Sequence, residues 1–430
     1  MEKLNKTTAA AATTVSKSKE WDARTLSLLF IPLTLLLFLP PPWFVFGWFV
    51  LPIYYARRWR VAGSPFPKTR ANFFVLLLMI GVVIGLMTSP ARLMGIASAG
   101  KWLAGVTAFY VLCDTLETER DAWRATSVLV LLGIGLVLLL PFSVSWSANK
   151  VYTLPAFLDW TLRPPGQGTN PNIVGGMLAA LAPFALALLF SHRRREQIIG
   201  AVALSPIVLA LLILQARGAW VALVGGLALG AAMFRRWLLP ILFLLALALL
   251  FLNQQLGGAE ALSNVLYGRI GMITGDTTQE RVALWTQAVD LIRAHPLTGI
   301  GMGAYEFVAP YAPPYSPQAP GLDVPHAHNV FLQVALDTGL VGLVGFVGVL
   351  VTAFAAAWRA YRAKIASPLP LALFISLAVM ILHSLGESVF WQLKAQWLLW
   401  FVYGLAFASE NLSRTKIPSS PSRASRKTNL

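Results

Sequence analysis

The sequence predicts an all-α polytopic membrane protein of about twelve transmembrane helices, and three observations predict it. Of its 430 residues, 57% are hydrophobic and 12% charged, with a mean hydropathy of +0.66; a soluble domain carries about 25% charged residues. The apolar residues gather into runs, several long enough for a hydrocarbon core that needs about 20 helical residues. The basic residues gather between those runs, at Lys17–Arg24, Arg57–Arg60 with Lys68 and Arg70, Arg193–Arg195, Arg235–Arg236, Arg359–Lys364 and from Arg414 to Lys427. Twelve crossings put every cluster and both termini on the cytoplasmic side, as the positive-inside rule demands.

Taken in order, residues 1–24 are polar, rich in Ala and Thr, and read as a disordered cytoplasmic segment. The next run lacks an A-x-A cleavage site and reads as a retained first span. Nine spans are expected within 25–252: 25–39, 43–56, 73–89, 95–113, 125–141, 172–190, 198–216, 218–234 and 237–252. The first two share the turn Pro40-Pro41-Pro42 and can form one tight hairpin. A short external segment falls near 142–171, and a large external loop covers 253–328. Spans 329–357, 370–384 and 395–411 follow, and 412–430 is a basic cytoplasmic tail. The net charge of +16 reads as topology and contact with anionic lipid heads. Nucleic-acid binding is not expected, since no aromatic-basic module accompanies the charges. The sole cysteine, Cys113, permits neither an internal disulfide nor a metal cluster.

The large loop has no lysine, three arginines (Arg269, Arg281, Arg293) and six acids. Residues Gln279 to Arg293 read as a helix whose Val282, Trp285, Val289 and Ile292 form one apolar face. Trp285 suits a membrane interface, and each arginine is either a ligand grip or a snorkelling cation. Pro296 ends the helix, and Gly299, Gly301 and Gly303 permit close backbone approach. Five prolines between Pro310 and Pro320 make a stiff surface loop, a candidate lid.

The segment Pro325-His326-Ala327-His328-Asn329 carries the chemistry, because two of five histidines sit two residues apart where this loop enters an apolar run. Imidazole exchanges protons near neutral pH, and guanidinium grips phosphate oxygens in a planar fork. A base and several phosphate grips on one membrane face point to transfer of something carried on a lipid phosphate. Arg217 breaks an apolar stretch at the outer end of a span, where a buried cation costs about 2.5–3.5 kcal/mol, and Gly218 beside it makes room for an anion. Asn329, Gln333 and Asp337 recur every four residues and share one helix face, as a catalytic set or as a hydrogen-bonding stripe between helices. His295 is expected to cap or pack, His192 to be solvated, and His383, near Glu387, to line the acceptor side or to pack.

Several motifs in fixed order resemble the O-antigen ligase and polymerase superfamily. They are Asn170-Pro171-Asn172, Gln215-Ala216-Arg217-Gly218-Ala219-Trp220, Arg281 to Trp285, His295 through Gly303, His326-Ala327-His328-Asn329 to Gln333, and Gly339-Leu340-Val341-Gly342. The resemblance covers roughly 170–345 and implies a GT-C-like glycosyltransferase of the cell inner membrane with its active site on the periplasmic face. Its ligase members move polysaccharide from undecaprenyl diphosphate to the lipid A core. Carried over residue by residue, His328 is the general base and Arg217 and Arg281 grip the diphosphate. Arg269, His326, Asn172, Asn329 and Gly301 are expected to bind substrate. His328 is preferred to His326 as base because it directly precedes Asn329.

No nucleotide, cofactor or metal is expected. The donor already carries an activated bond, no P-loop pattern is present, and the His-x-His pair alone is an incomplete metal site. The expected partners are the lipid-linked polysaccharide, the lipid A core and membrane lipids. An O-antigen polymerase, a protein oligosaccharyltransferase and a lipid-linked sugar transporter are the competing readings; only the transporter needs no base.

Overall fold

A computed structural model describes residues 43, 45–144, 169–234, 236, 239–240, 243–244, 270–308, 326–363, 368–390 and 393–415. They form helices α1 (Val45–Ala62), α2 (Asn72–Thr88), α3 (Arg92–Thr115), α4 (Glu119–Ser143), α5 (Pro171–Leu189), α6 (Arg194–Leu214), α7 (Arg217–Phe234), α8 (Ile270–Ala294), the single turn α9 (Tyr305–Val308), α10 (Val330–Arg362), α11 (Leu369–Ser384) and α12 (Leu393–Thr415). Six of these, α3 to α7 and α10, are long and apolar enough to cross a membrane, and α2 and α11 are apolar but shorter. The protein is an all-helical polytopic membrane protein. Expected span 25–39 lies outside the described residues, as do most of 237–252 and of the segment 142–171.

Local chemistry sets where the helices begin. Thr118 and Asp121 form a reciprocal capping box at α4. Asn170 accepts the Asn172 N–H ahead of Pro171, which opens α5 with its φ already helical. Prolines inside α1, α4, α5 and α6 are tolerated, as in other membrane helices, because neighbouring helices re-satisfy the freed backbone groups. Lipid-facing positions expose large apolar side chains, among them Phe73, Leu76 and Met87 on α2 and Leu131, Leu138 and Phe142 on α4. A water-soluble surface rarely carries so continuous a belt.

Without a hydrophobic force between helices in lipid, tight packing depends on small residues. Helix α10 lies against α2 through Gly342 and Gly345, whose backbones meet Gly81 and Leu78. An aromatic cluster of Trp102, Phe109, Phe346, Trp400 and Phe407 joins α3, α10 and α12.

Helix α10 is longer than the expected 329–357 span and kinked at Gly339, whose φ is 66°. The connection after α8 wedges into that kink: Ile300 N–H donates to Leu336 O at 2.7 Å and Leu340 N–H to Pro296 O at 2.8 Å. A Cβ on Gly339 would lie 2.1 Å from Leu297 O, so only glycine fits. Residues Val330–Thr338 therefore form a separate tilted segment at the mouth of the span.

Two details depart from the sequence reading. Helix α8 begins at Ile270 rather than Gln279, running through the weak helix formers Gly275, Thr277 and Thr278. Its buried stripe is Leu284, Ala288 and neighbouring Leu291 and Ile292, packed on Tyr305, Ala327 and Leu336, whereas Val282 is 53% exposed. Both stripes are apolar at helical spacing, and the docking partner, which periodicity cannot see, selects one.

Candidate active site

The histidine segment is held by its own helix. Asn329 caps α10, its side-chain oxygen accepting from Phe331 and Leu332 N–H, while its amide donates to Leu385 O at 3.1 Å. Gln333, one turn on, accepts the Ala327 N–H at 2.9 Å and donates to Asp337 Oδ1 at 3.1 Å. The Asn329-Gln333-Asp337 stripe thus anchors the segment and the α11–α12 turn. His328 adopts φ 47°, a left-handed conformation rare outside glycine, and its N–H donates to His326 Nδ1 at 3.2 Å. Such backbone strain persists where the surroundings over-determine it, and it concentrates at functional sites.

Glu387, in the turn between α11 and α12, is the hub. Its Oε2 lies 3.0 Å from His328 Nδ1. Its Oε1 accepts from Asn172 Nδ2 at 3.1 Å and from Arg281 Nη2 in a short ion pair. Four elements, α5, α8, the start of α10 and the α11–α12 turn, therefore converge on one buried carboxylate. Burial pushes that carboxyl up, but the His328 hydrogen bond and the charges of His328 and Arg281 outweigh it and hold it below its ordinary range. His326 is buried, its ring centroid 4.2 Å from that of His328. Burial first, then the neighbouring His328, lowers its pKa to about 3, so it is neutral at physiological pH. With Nδ1 accepting a backbone N–H, the neutral ring carries its proton on Nε2.

Chemically, the ionised Glu387 fixes His328 with a proton on Nδ1, which leaves Nε2 as a lone-pair base. His328 and Arg281 are partly open, with 26% and 34% of their side chains exposed, so both can reach a ligand.

The other sequence candidates sit as follows. Asn172 and Arg281 join the hub. Arg217 opens α7 and is exposed; its neighbour Gly218 borders His383, which packs near the hub. Gly301, with φ 107°, is pressed against the Ser89 backbone, and Met302 bonds Gly85 and Ser89, so the glycine run serves backbone packing onto α2. Arg269 and the proline-rich 310–320 stretch lie outside the described residues. His295 is exposed at the end of α8, and Arg293 pairs with Asp290 on the surface. His192 is exposed in the basic cluster.

In the sequence Glu387 stands out only as a neighbour of His383. The missing signal was topological: 59 residues separate it from His328, and the fold closes that gap. Its arrival also alters the metal question, since His326, His328 and Glu387 offer ligand atoms within 4.8 Å of one another. A cation there would share Glu387 with the Arg281 guanidinium, an electrostatic conflict.

Residues 202–347 match a family model described as O-Antigen ligase. A curated relative, the "Exopolysaccharide production protein ExoQ" of Rhizobium meliloti (strain 1021), is 25% identical over 208 residues, covering 46% of this chain and 47% of the relative. Both matches support membership of the O-antigen ligase/polymerase superfamily. The chain spans about half the length of the curated relative it matches. The matched segment contains Arg217, Arg281, His326 and His328, while Asn172 and Glu387 lie outside it.

Proposed function

We propose that this protein is a glycosyltransferase of the O-antigen ligase type, moving a polysaccharide from undecaprenyl diphosphate to the lipid A core at the periplasmic face of the inner membrane. The observation that carries this reading is the Glu387–His328 pair beside Arg281: an oriented base and a phosphate-binding cation in one partly open site. His328 Nε2 takes the proton of the acceptor hydroxyl as its oxygen bonds to the anomeric carbon. The bond from that carbon to the phosphate oxygen breaks, and its electron pair leaves with the diphosphate. Arg217 and Arg281, with Arg269 as a further grip, meet the charge that builds there. His326, neutral and buried, supports His328 and the acceptor. Asn172 and Asn329 act through the Glu387 turn, and a GT-C-like arrangement belongs to the same reading.

The periplasmic assignment is supported by polarity along the bundle. Helices α5, α10 and α12 begin near the site and run to Arg193, Arg359–Arg362 and Arg414 at their far ends. The name of the curated relative, an exopolysaccharide production protein, favours a second reading in which another lipid-linked chain is the acceptor, making the enzyme a polymerase.

The test is transfer by purified protein from undecaprenyl-diphosphate-linked polysaccharide, offered lipid A core, a second lipid-linked chain or an acceptor protein, with and without a chelator. Product on the lipid A core with chelator present is expected. Elongated donor alone would select the polymerase, and no product with any acceptor would contradict transferase activity.

A further inference from the structure

His383, in the last turn of α11, is 2% exposed, yet neither of its ring nitrogens has a hydrogen-bond partner among the described residues. A buried imidazole in that state loses its hydration and regains nothing, so it calls for an explanation. Packing does not supply one. Phe390 meets the ring edge-on at 6.3 Å, and an apolar side chain of similar size would fill the seat without stranding two polar atoms.

The fold nonetheless makes room for this ring. A Cβ at position 176 would lie 2.8 Å from ring Cε1, so Gly176 on α5 admits it. On another side, a Cβ at position 218 would have Nε2 at 3.9 Å and Cδ2 at 4.0 Å as its nearest neighbours. The Nε2 edge therefore faces the first turn of α7, where Gly218 is exposed and directly follows exposed Arg217. Glu387 and Arg281 are near enough to act on the ring electrostatically, so His383 lies between the hub and Arg217. A ligand atom resting on Gly218 would meet Nε2 and a guanidinium-bearing residue together, and that pairing selects an anion.

We propose that His383 Nε2–H is a hydrogen-bond donor to a phosphate oxygen of the lipid diphosphate, held over Gly218 beside Arg217. This rests on the reading of the site as a diphosphate-dependent transferase. No proton moves at His383. The neutral imidazole presents its N–H to an oxygen whose charge grows as the glycosyl bond breaks, while the acceptor proton goes to His328. Nδ1 is then the lone-pair nitrogen, directed away from the anion.

The experiment uses the full chain in nanodiscs, with undecaprenyl diphosphate as the binding probe for Kd, undecaprenyl-diphosphate-linked polysaccharide as the donor for kcat and KM, and melting temperature measured for each variant. His383→Leu is expected to melt at or above wild type while binding the probe about tenfold more weakly and losing about 10²-fold in kcat. His383→Gln, which keeps an N–H at similar reach, should recover most of both. His383→Met carries the same expectation as leucine if that variant misfolds. Wild-type binding and rate in the leucine variant would make the ring a packing residue and overturn the proposal. Equal losses in the leucine and glutamine variants would remove the donor role, and losses that track a lower melting temperature would reduce it to structure. Arg217→Ala losing the probe while His383→Leu keeps it would defeat only the His383 role. A wild-type protein that ignores the probe would defeat the diphosphate reading as well.

Discussion

Glu387 gives a direct test at the scale of single residues. Replacing it with Gln keeps the shape but lets an amide N–H face His328 Nδ1, which favours the tautomer with the proton on Nε2 and removes the base. A loss of at least about 10²-fold in kcat is expected, because an imidazole held in the wrong tautomer is catalytically inert. Melting curves should show a folded protein, and a fully active Glu387→Gln enzyme would contradict the dyad. Arg281→Lys should also fail to restore activity, since an ammonium cannot bridge Glu387 and a phosphate with a planar fork; removal of such a grip is worth roughly 10²–10³ in rate. Arg293→Ala, a surface pair with Asp290, should leave the rate near wild type. The pH dependence of stability follows from His326 and Glu387. The folded His326 refuses protons down to about 3, whereas the unfolded ring takes one near 6.5. Its contribution therefore favours unfolding increasingly as pH falls through that window. Glu387, held low in the fold, stabilises above its unfolded pKa and loses that contribution only as pH drops through its lower folded value. Both act on the acid side. Melting temperature in detergent should fall on acidification below about pH 6.5, and His326→Gln should flatten the decline; an unchanged slope would count against a buried neutral His326.

At the level of elements, the wedge of the α8–α10 connection into the α10 kink sets the angle at which His326 and His328 are presented. Gly299→Ala or Gly339→Ala should cost roughly 1–3 kcal/mol in backbone strain alone, besides the clashes with Leu336 O and Leu297 O. Lower melting temperatures with reduced activity would show this, and an unperturbed Gly339→Ala protein would refute the kink's role. The sequence made the apolar spans legible because period and length are local properties. It also exposed the Asn329-Gln333-Asp337 face, whose job as a structural anchor became clear only with Ala327 N–H in view. The kink was not legible, since Gly339 within an apolar run reads equally as a helix-packing glycine. Gly301 is ambiguous for a related reason: its positive φ brings the backbone against Ser89, and a glycine motif looks the same whether it admits a ligand or a neighbouring helix.

Across the whole molecule, Arg193, Arg359, Arg362 and Arg414 lie at the ends of α5, α10 and α12 opposite the site, a polarity that charge counting alone could read. Closure of the site was beyond it, because Asn172, Arg281, His328 and Glu387 come from four elements that only the folded bundle brings together. In a Cys113→Ser background, Leu297→Cys should react with an impermeant reagent from the periplasm and Arg194→Cys only from the cytoplasm; the reverse would invert the topology. The most direct test of the central claim is a single-turnover transfer from undecaprenyl-diphosphate-linked polysaccharide by wild type and by His328→Ala at equal donor occupancy. General-base loss predicts a rate lower by about 10²–10⁴-fold, with donor binding intact and His326→Ala less affected. Transfer by His328→Ala at the wild-type rate would contradict the account.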